Sequence, residues 1–361
     1  MKRLLEIHEY VEDVNRVVAL NLPWGKLRGK TILVTGGTGL IGSFLIDVLS
    51  AAKLGCKVLL FGRSEEKAKA RFEECWDEGW LQFVKWDAAN KIEPRITQTR
   101  GMGLEESEAG IDYVIHLASN THPVAYATDP IGTIATNVIA LNNLLAFAVE
   151  KKASRFLFAS SNEIYGENRG DVELFDEKYC GYVDCNTLRA GYPESKRCGE
   201  ALCQAYIKQK GLDCVIARLT RTYGPTILPT DTKAVSQFFN NALQDEDIVL
   251  KSEGKQFYSY QYVSDSVSGM LTVLLKGKTG EAYNIADESG DITLRDLAAA
   301  VAAQAGRKVV LKIPDTIESV GFSKATKARL DGSKIRALGW SPVYDIYTGV
   351  KRYYSIATNC K

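Results

Sequence analysis

The 361-residue chain is predicted to be an α/β protein, with a Rossmann-type doubly wound parallel sheet followed by a smaller C-terminal α/β lobe. Two observations predict this fold. Up to about residue 225, short apolar segments alternate with segments of helix length, as in a parallel sheet covered by helices on both faces. In addition, a glycine-rich turn stands between the first apolar segment and the first long helix of the sheet, where doubly wound folds bind dinucleotides.

Three regions are predicted along the chain. Residues 1–28 form a helical extension, because apolar side chains recur there at roughly helical spacing. Residues 29–225 form the NAD(P)-binding domain, and residues 226–361 form the lobe that binds the substrate, with parts of the two interleaved. No Pro- or Ser-rich linker separates these two lobes in the sequence, so we expect them to pack closely around a cleft.

The predicted strands of the main sheet are short apolar segments. They comprise residues 31–35, 57–61, 81–85, 113–117, 155–159 and 214–218. Helices are predicted over residues 40–49 and 65–74, between the first three strands. After about residue 225 the alternation loosens, and residues 248–251 and 309–313 are the strand candidates of the smaller lobe.

Composition argues against several classes of protein. Lys and Arg total 45 against 44 for Asp and Glu, which gives no reason to expect nucleic acid or an anionic membrane as a partner. Acidic residues interrupt the first segment, and no long uncharged apolar run follows, so neither a signal peptide nor a membrane anchor is predicted. The eight cysteines lack the spacing of a disulfide framework, a CxxC motif or a zinc site. We therefore expect reduced thiols, no metal and a cytoplasmic protein.

The segment TGGTGLIG carries three glycines in the pattern GxxGxxG. It lies between a predicted strand and a predicted helix, where glycine allows a tight turn and lets backbone N–H groups approach a pyrophosphate at the helix N-terminus. This position favours a nucleotide site over the alternative, a turn that serves packing alone. The cofactor-binding residues predicted here are Gly36, Thr38, Gly39, Leu40, Ile41 and Gly42.

The end of the second predicted strand bears on the choice between NAD and NADP. An acidic residue there would hydrogen-bond the ribose hydroxyls and select NAD. The chain instead has Phe-Gly-Arg-Ser, and Arg63 can pair with a 2′-phosphate, which favours NADP; a solvated surface arginine is the alternative. After the third strand, Asp87 can accept a hydrogen bond from the adenine amino group, and Ala88 is predicted beside it.

A catalytic group is predicted from a YxxxK pair and the segment SSNEIYG. Tyr192 and Lys196 are four residues apart, so on a helix they share a face. A nearby cation lowers the pKa of a phenol, which suits Tyr192 to remove a hydroxyl proton while hydride leaves the same carbon for nicotinamide. Ser161 and Glu163 follow the strand at 155–159, where they can hydrogen-bond the reacting hydroxyl and shuttle a second proton. The alternative for that segment is an ordinary polar turn.

Several motifs occur in an order that resembles the extended short-chain dehydrogenases/reductases of the NAD-dependent epimerase/dehydratase family. The resemblance runs from about residue 30 to about residue 345. Its motifs are TGGTGLIG, VIHLAS, DPIGT, SSNEIYG, YPESK, RTYGP, QYVSD and AYNIAD. Within this family the chain is most similar to the UDP-glucuronate decarboxylases, through HLASNTHPVAYATDPIGTIATN, RAGYPESKR and the stretch around AVSQFF.

The resemblance implies an NAD(P) that is tightly bound and recycled, a nucleotide-sugar substrate, and a homodimer formed through a four-helix interface. It implies Ser161, Tyr192 and Lys196 as the catalytic triad, with Glu163 handling a proton on the sugar ring. Further cofactor contacts that it implies are Leu117, Ala118, Ser119 and Asn137. The predicted substrate contacts are Ser161, Asn162, Glu163, Arg221 and Tyr258.

The chain departs from its relatives at substrate-binding positions. Asn162 stands where many sugar-nucleotide dehydratases have Asp, which argues against Asp-assisted dehydration. Tyr258 replaces an arginine that contacts the sugar nucleotide, and Thr226 replaces the arginine of the decarboxylases' GPR motif. Conversely, Arg221 replaces an asparagine, and a guanidinium binds phosphate or carboxylate bidentately. Our hypothesis is that Arg221 restores the lost anion binding; the alternative is a salt bridge within the protein.

The predicted reaction begins with oxidation at C4 of the sugar. The resulting 4-keto group acidifies C5 and labilises a C5 carboxylate, which favours decarboxylation, with 4,6-dehydration and 4-epimerisation as alternatives. A non-catalytic NAD(P)-binding regulator is the alternative from another class, and the intact Ser161, Tyr192 and Lys196 argue against it. We interpret His116 as structural, expect Tyr165 beside the nicotinamide or sugar, and place His122 in a loop beside the crevice.

Overall fold

The computed structural model describes residues 3–87, 90, 92, 110–121, 126, 128–312 and 326–361. Two residues named above, Ala88 and His122, lie outside the described residues. The strands are β1 (Thr31–Thr35), β2 (Lys57–Gly62), β3 (Leu81–Lys85), β4 (Tyr113–His116), β5 (Arg155–Ser161), β6 (Cys214–Leu219), β7 (Arg221–Tyr223), β8 (Ile248–Leu250), β9 (Phe257–Tyr262), β10 (Ala282–Ile285), β11 (Asp291–Thr293), β12 (Val309–Leu311) and β13 (Lys327–Ala328).

The helices flank these strands. They are α1 (His8–Val18), α2 (Leu40–Ala51), α3 (Glu65–Arg71), α4 (Pro130–Glu150), α5 (Gly191–Lys210), α6 (Ala234–Leu243), α7 (Val263–Lys276), α8 (Leu294–Ala305), α9 (Ser333–Arg336) and α10 (Ile346–Asn359). The helix predicted over 65–74 ends at Arg71, because the buried Phe72 leaves helical dihedrals with φ −118° and ψ 28°. A short 3-10 turn, Glu73–Cys75, follows.

The main sheet has seven strands in the order β3-β2-β1-β4-β5-β6-β10, and every neighbouring pair is parallel. This confirms the predicted α/β class with a doubly wound parallel sheet. Side chains alternate between the two faces, so Ile32 and Val34 of β1 join one hydrophobic core and Leu33 joins the other. The chain reverses its direction of progress across the sheet between β1 and β4, the place where such sheets hold ligands.

The C-terminal part of the chain supplies a smaller lobe and one strand of the main sheet. Strands β7, β9, β11 and β13 form a small mixed sheet around β9, and β8 pairs with β12. Strand β10 pairs in parallel with β6, so the main sheet is completed from beyond residue 225. Arg221, Tyr258 and Tyr260 therefore lie on adjacent strands that face the end of the main sheet.

The N-terminal helix α1 packs against α2, α7 and α10. Its Asp13, which is fully buried, accepts hydrogen bonds from Tyr262 at 2.9 Å, Tyr344 at 2.5 Å and Arg352 at 3.1 Å. Tyr10 on the same helix donates to the buried Asp47 of α2. Residues of the extension thus belong to the hydrophobic core of the protein.

By length and composition, α4 is the single helix of the described residues that could cross a membrane, so the expectation that the sequence has no uncharged apolar run of that length was wrong. It packs along α5, in the layer that covers one face of the sheet. Core helices of globular proteins meet the same criterion.

Candidate active site

A cleft of about 750 Å³ opens at the carboxyl ends of the central strands, between the two lobes. The main sheet contributes residues after β1, β2, β4 and β5 to its lining, and the smaller lobe contributes residues of β7, β9 and α6. This position follows from the topology, because loops at the carboxyl edge diverge where the strand order reverses.

The glycine loop forms one end of the cleft. Gly36 has φ +71°, and a Cβ on it would lie 2.7 Å from the backbone nitrogen of Ala118. A Cβ on Gly42 would lie 2.3 Å from the carbonyl oxygen of Gly36, so only glycine allows the loop to fold back on α2. Gly39 caps α2, and Thr38, Leu40 and Ile41 line the cleft with the glycines. The backbone and helix N-terminus here fit the pyrophosphate of a dinucleotide.

Other predicted cofactor residues lie around the same end of the cleft. Arg63, Asp87, Leu117, Ala118 and Ser119 all line it. Arg63 is exposed, and Ser64 and Lys67 line the same end of the cleft.

Asn137, which was predicted as a cofactor contact, does not itself line the cleft. Its side chain is fully buried; it accepts a hydrogen bond from Ser119 at 2.7 Å and donates to Ser195 at 3.0 Å. Asn137 therefore acts on the cleft through Ser119, whose hydroxyl it orients.

The three predicted catalytic residues meet in the cleft. Ser161 ends β5, while Tyr192 and Lys196 lie in the first two turns of α5, and all three are buried and line the cavity. Burial raises the pKa of Tyr192 to about 12, which is opposite to the lowering predicted from a nearby cation; hydrogen bonding to Ser161 and Ser119 acts against the rise. Burial likewise lowers the pKa of Lys196 to about 7. The Lys196 ammonium donates to the carbonyl oxygen of Ala159 at 2.9 Å and lies 5.9 Å from the centroid of the Tyr192 ring.

Glu163 forms an ion pair with Arg189, a residue that we had not singled out. The Arg189 guanidinium also lies 4.8 Å from the centroid of the Tyr126 ring, which stacks on Tyr192 at 5.0 Å. Arg189 thus bridges the predicted proton shuttle and the predicted base. The signal in the sequence was its place three residues before Tyr192, within RAGYPESKR.

Arg221 and Tyr258 contact each other; these are the residues that replace an asparagine and an arginine of the relatives. The Arg221 guanidinium carbon lies 3.5 Å from the centroid of the Tyr258 ring, a cation–π geometry. Among the described residues no carboxylate pairs with Arg221, so the salt bridge considered as an alternative is not formed there. Asn162, 5% exposed, lies between Ser161 and Glu163 at the same wall of the cleft.

Two other residues of the smaller lobe differ from expectation. Thr226 does not line the cleft; its hydroxyl donates to the carbonyl oxygen of Leu40 at 2.7 Å, joining the smaller lobe to the glycine loop. Lys233, which we had not predicted, lines the cleft and pairs with the buried Asp231 at 2.9 Å. Lys233 lies in the loop before α6, where the sequence has no motif that would have predicted it as a residue of the site.

Two aromatic residues occupy the core. Tyr165 was expected beside the nicotinamide or sugar, but it is fully buried away from the cleft and donates to Asn284 at 2.6 Å. His116 has the structural role that we expected: its Nδ1 lies 2.7 Å from the Thr35 hydroxyl, and its ring stacks on Phe158. Burial lowers the pKa of His116 to about 3, so the ring is neutral.

The sequence profile of the NAD dependent epimerase/dehydratase family matches residues 32–286. UDP-glucuronic acid decarboxylase 2 of Arabidopsis thaliana is 30% identical over 349 residues, which cover 94% of this chain and 72% of the relative. UDP-glucuronic acid decarboxylase 1 of Xenopus tropicalis is 30% identical over 90% of this chain and 71% of its own.

Two solved structures show how closely the fold is shared. A dTDP-glucose 4,6-dehydratase of Streptomyces venezuelae with NAD bound is 25% identical and has a TM-score of 0.75 over 90% of this chain and 96% of its own. A UDP-glucuronic acid 4-epimerase of Bacillus cereus, in complex with UDP-glucuronic acid and NAD, is 22% identical and has a TM-score of 0.76 over 91% and 99%.

Proposed function

Because the chain belongs to the NAD-dependent epimerase/dehydratase family, we propose that it is an enzyme that modifies a nucleotide-activated sugar through a 4-keto intermediate. The observation that carries the proposal is the meeting of Ser161, Tyr192 and Lys196 in one cleft with the glycine loop. A protein that only senses a dinucleotide needs the loop, but it does not need a buried tyrosine and lysine beside the serine that ends β5. The substrate class is that of the named relatives, which act on UDP-glucuronic acid.

Three residues of the chain have separate roles in the first step, the oxidation of the sugar at C4. Bound nicotinamide supplies the hydride acceptor and, at the end of the cycle, the hydride donor. Ser161 hydrogen-bonds the C4 hydroxyl, and Tyr192 removes its proton. Lys196, when protonated, stabilises the phenolate, because opposite charges in a buried site favour the ionised form of the tyrosine. Burial of all three residues keeps water from the reacting carbon.

Decarboxylation fits the neighbouring residues better than dehydration. Elimination across C5 and C6 needs a base at C5 and an acid at the leaving hydroxyl. Glu163 is paired with Arg189, which weakens it as a base, and Asn162 has no acidic proton. Loss of a C5 carboxylate needs no base at C5 and no leaving hydroxyl, because the 4-keto oxygen accepts the electron pair of the breaking C5–C6 bond. Carbon dioxide leaves, and a proton from solvent, relayed by Glu163, then adds to C5 of the resulting enolate. We therefore favour a UDP-glucuronate decarboxylase-like reaction.

The test is mass spectrometry of UDP-glucuronate after incubation with the purified protein and NAD or NADP. The expected product is a UDP-pentose, lighter by one carbon dioxide, with no net reduction of the cofactor. The Tyr192→Phe variant serves as the control and is expected to leave the substrate unchanged. A product of unchanged mass but altered C4 configuration would replace decarboxylation by epimerisation. UDP-glucose, which has a hydroxyl at C6, tests dehydration in a parallel incubation, and a product lighter by water would replace decarboxylation by that reaction.

We propose in addition that the protein prefers NADP over NAD. Arg63 and Lys67 both line the cleft after β2, and no carboxylate stands at the end of that strand. Hydrogen bonds to a charged phosphate are worth about 1.5–3 kcal/mol, so Arg63→Ala should weaken NADP roughly tenfold or more and leave NAD unchanged. Lys69→Ala, at an exposed cation of the neighbouring helix α3 that does not line the cleft, is the matched control. Tighter binding of NAD than of NADP by the wild type would refute this preference.

We propose on family grounds that two copies associate through α4 and α5. Ile131, Ile134 and Ile139 of α4 are 81%, 44% and 50% exposed, an apolar surface of the kind that a second copy covers. Sedimentation equilibrium should give a dimer for the wild type and a monomer for Ile139→Asp. A monomeric wild type would overturn the assignment.

A cytoplasmic location is also proposed. All eight cysteines are free thiols, as suits a reducing compartment. Cell fractionation tests it, and recovery from an extracytoplasmic fraction would refute it.

A further inference from the structure

A second, smaller pocket of about 80 Å³ adjoins the main cleft beside the proposed catalytic residues. Four residues line both cavities: Asn162, Glu163, Arg189 and Arg221. They therefore stand at the junction of the two. The junction lies at the reacting end of the cleft, because Asn162 adjoins Ser161 in the chain and Arg189 lies over the tyrosine ring that stacks on Tyr192.

Several hydrogen-bond donors at this junction have no acceptor. Within the described part of the chain, Nδ2 of Asn162, Nε and Nη1 of Arg189, and Nη1 of Arg221 are buried without a hydrogen-bond partner. Buried polar groups are paired in the great majority of cases, and a buried donor that loses its partner destabilises the protein. These atoms can only donate, so the group that completes them must be an acceptor.

The junction also carries unbalanced positive charge. Arg189 pairs with Glu163, whereas Arg221 contacts the uncharged ring of Tyr258 and has no ion pair among the described residues. Two further carboxylates of the smaller pocket, Glu167 and Asp184, belong to exposed residues, where solvent and salt screen them. An anionic acceptor therefore fits the junction better than a neutral one.

We propose that Asn162, Arg189 and Arg221 bind a carboxylate carried by the sugar ring, and that Arg189 determines the preference for a nucleotide uronate over a neutral nucleotide hexose. The inference rests on the proposed function and deepens it. Arg189 holds Glu163 through Nη2 and keeps Nε and Nη1 for the substrate. The same guanidinium group therefore binds the carboxylate of the substrate and positions Glu163.

The test is calorimetric binding of UDP-glucuronate and UDP-glucose to the cofactor-loaded protein, since the two ligands differ only at C6. The wild type should bind UDP-glucuronate roughly tenfold or more tightly than UDP-glucose, as expected for hydrogen bonds to a charged group. Arg189→Gln should weaken the binding of UDP-glucuronate far more than that of UDP-glucose, so that the ratio falls toward one. Arg169→Gln, an exposed arginine outside both cavities, is the matched control.

A second variant separates hydrogen bonding from charge repulsion. Arg189→Gln alone leaves Glu163 unpaired, and its charge would repel the uronate. The double variant Arg189→Gln/Glu163→Gln keeps the net charge of the wild-type junction, so it should still lose the preference if the Arg189 donors bind the carboxylate. A double variant that regains the wild-type ratio would overturn the role of Arg189.

The possible results also distinguish failure of the proposed carboxylate site from failure of the proposed function. Equal binding of both ligands by the wild type, together with C4 oxidation of either one, would overturn the carboxylate site and leave the function standing. Failure of the wild type to bind any UDP-sugar would overturn both the carboxylate site and UDP-glucuronate as the substrate. Thermal melting of each variant checks that it is folded.

Discussion

Replacing Gly42 with alanine tests whether close packing of the glycine loop on α2 holds the cofactor. The added Cβ would lie 2.3 Å from the carbonyl oxygen of Gly36 and 2.5 Å from the Cα of Gly37, where contacts under 3.0 Å essentially never occur. The loop must therefore move by at least 0.7 Å, the difference between 3.0 Å and 2.3 Å, because both neighbours are backbone. Overpacking of this kind destabilises a protein by about 1–3 kcal/mol.

The same displacement moves the amides that face the pyrophosphate. Loss of one hydrogen bond to a charged group corresponds to about 1.5–3 kcal/mol, so affinity for the preferred dinucleotide should fall roughly tenfold to hundredfold. Calorimetric titration with NAD and NADP measures the affinity, and chemical denaturation measures the stability. Gly25→Ala is the control, since a Cβ there meets no atom within 4 Å. Wild-type affinity and stability in Gly42→Ala would refute the reasoning.

Three further predictions concern the catalytic pair and the N-terminal helix. Tyr192→Phe should lower kcat by roughly 10²–10⁴ and leave the Kd of dinucleotide and nucleotide sugar within a few-fold; unchanged single-turnover oxidation would contradict the role of the phenol. Burial lowers the pKa of Lys196 from 10.5 to about 7, so between these values the unfolded chain holds a proton that the folded chain lacks. The free energy of unfolding of the cofactor-free protein should then rise with pH across this window, and Lys196→Met should flatten the rise measured by denaturation at several pH values; parallel pH profiles would count against it. Asp13→Asn should reduce the free energy of unfolding by about 3 kcal/mol, because it leaves the Arg352 guanidinium without its buried partner; Glu12→Gln, at the exposed partner of the same arginine, should have a much smaller effect, and equal effects would refute the distinction.

Local patterns predicted much of the framework. The first six strands of the main sheet, the glycine loop and the YxxxK pair depend on residues near one another in the chain, where apolar alternation and four-residue spacing are informative. The carboxyl ends of parallel strands then bring Ser161 to the same edge as the glycine loop. This is why the cleft could be located before its geometry was known.

Contacts between distant residues were not predictable in the same way. The Glu163–Arg189 pair joins a strand end to a helix start, and the Arg221–Tyr258 contact joins two strands of a small sheet that showed no clear pattern. Asn137 had a motif position typical of a cofactor contact, yet tertiary packing buries it beneath Ser119. Such pairings depend on how elements pack, which periodicity does not encode.

The proposed reaction requires that C4 of the sugar be oxidised and then reduced again within one catalytic cycle. Mass spectrometry of the product formed from UDP-glucuronate deuterated at C4 follows that hydride. If the hydride taken from C4 returns to C4, the product will have lost carbon dioxide and kept the deuterium, with no reduced cofactor accumulating. Loss of the deuterium from the product, or an unchanged substrate, would contradict the proposed reaction.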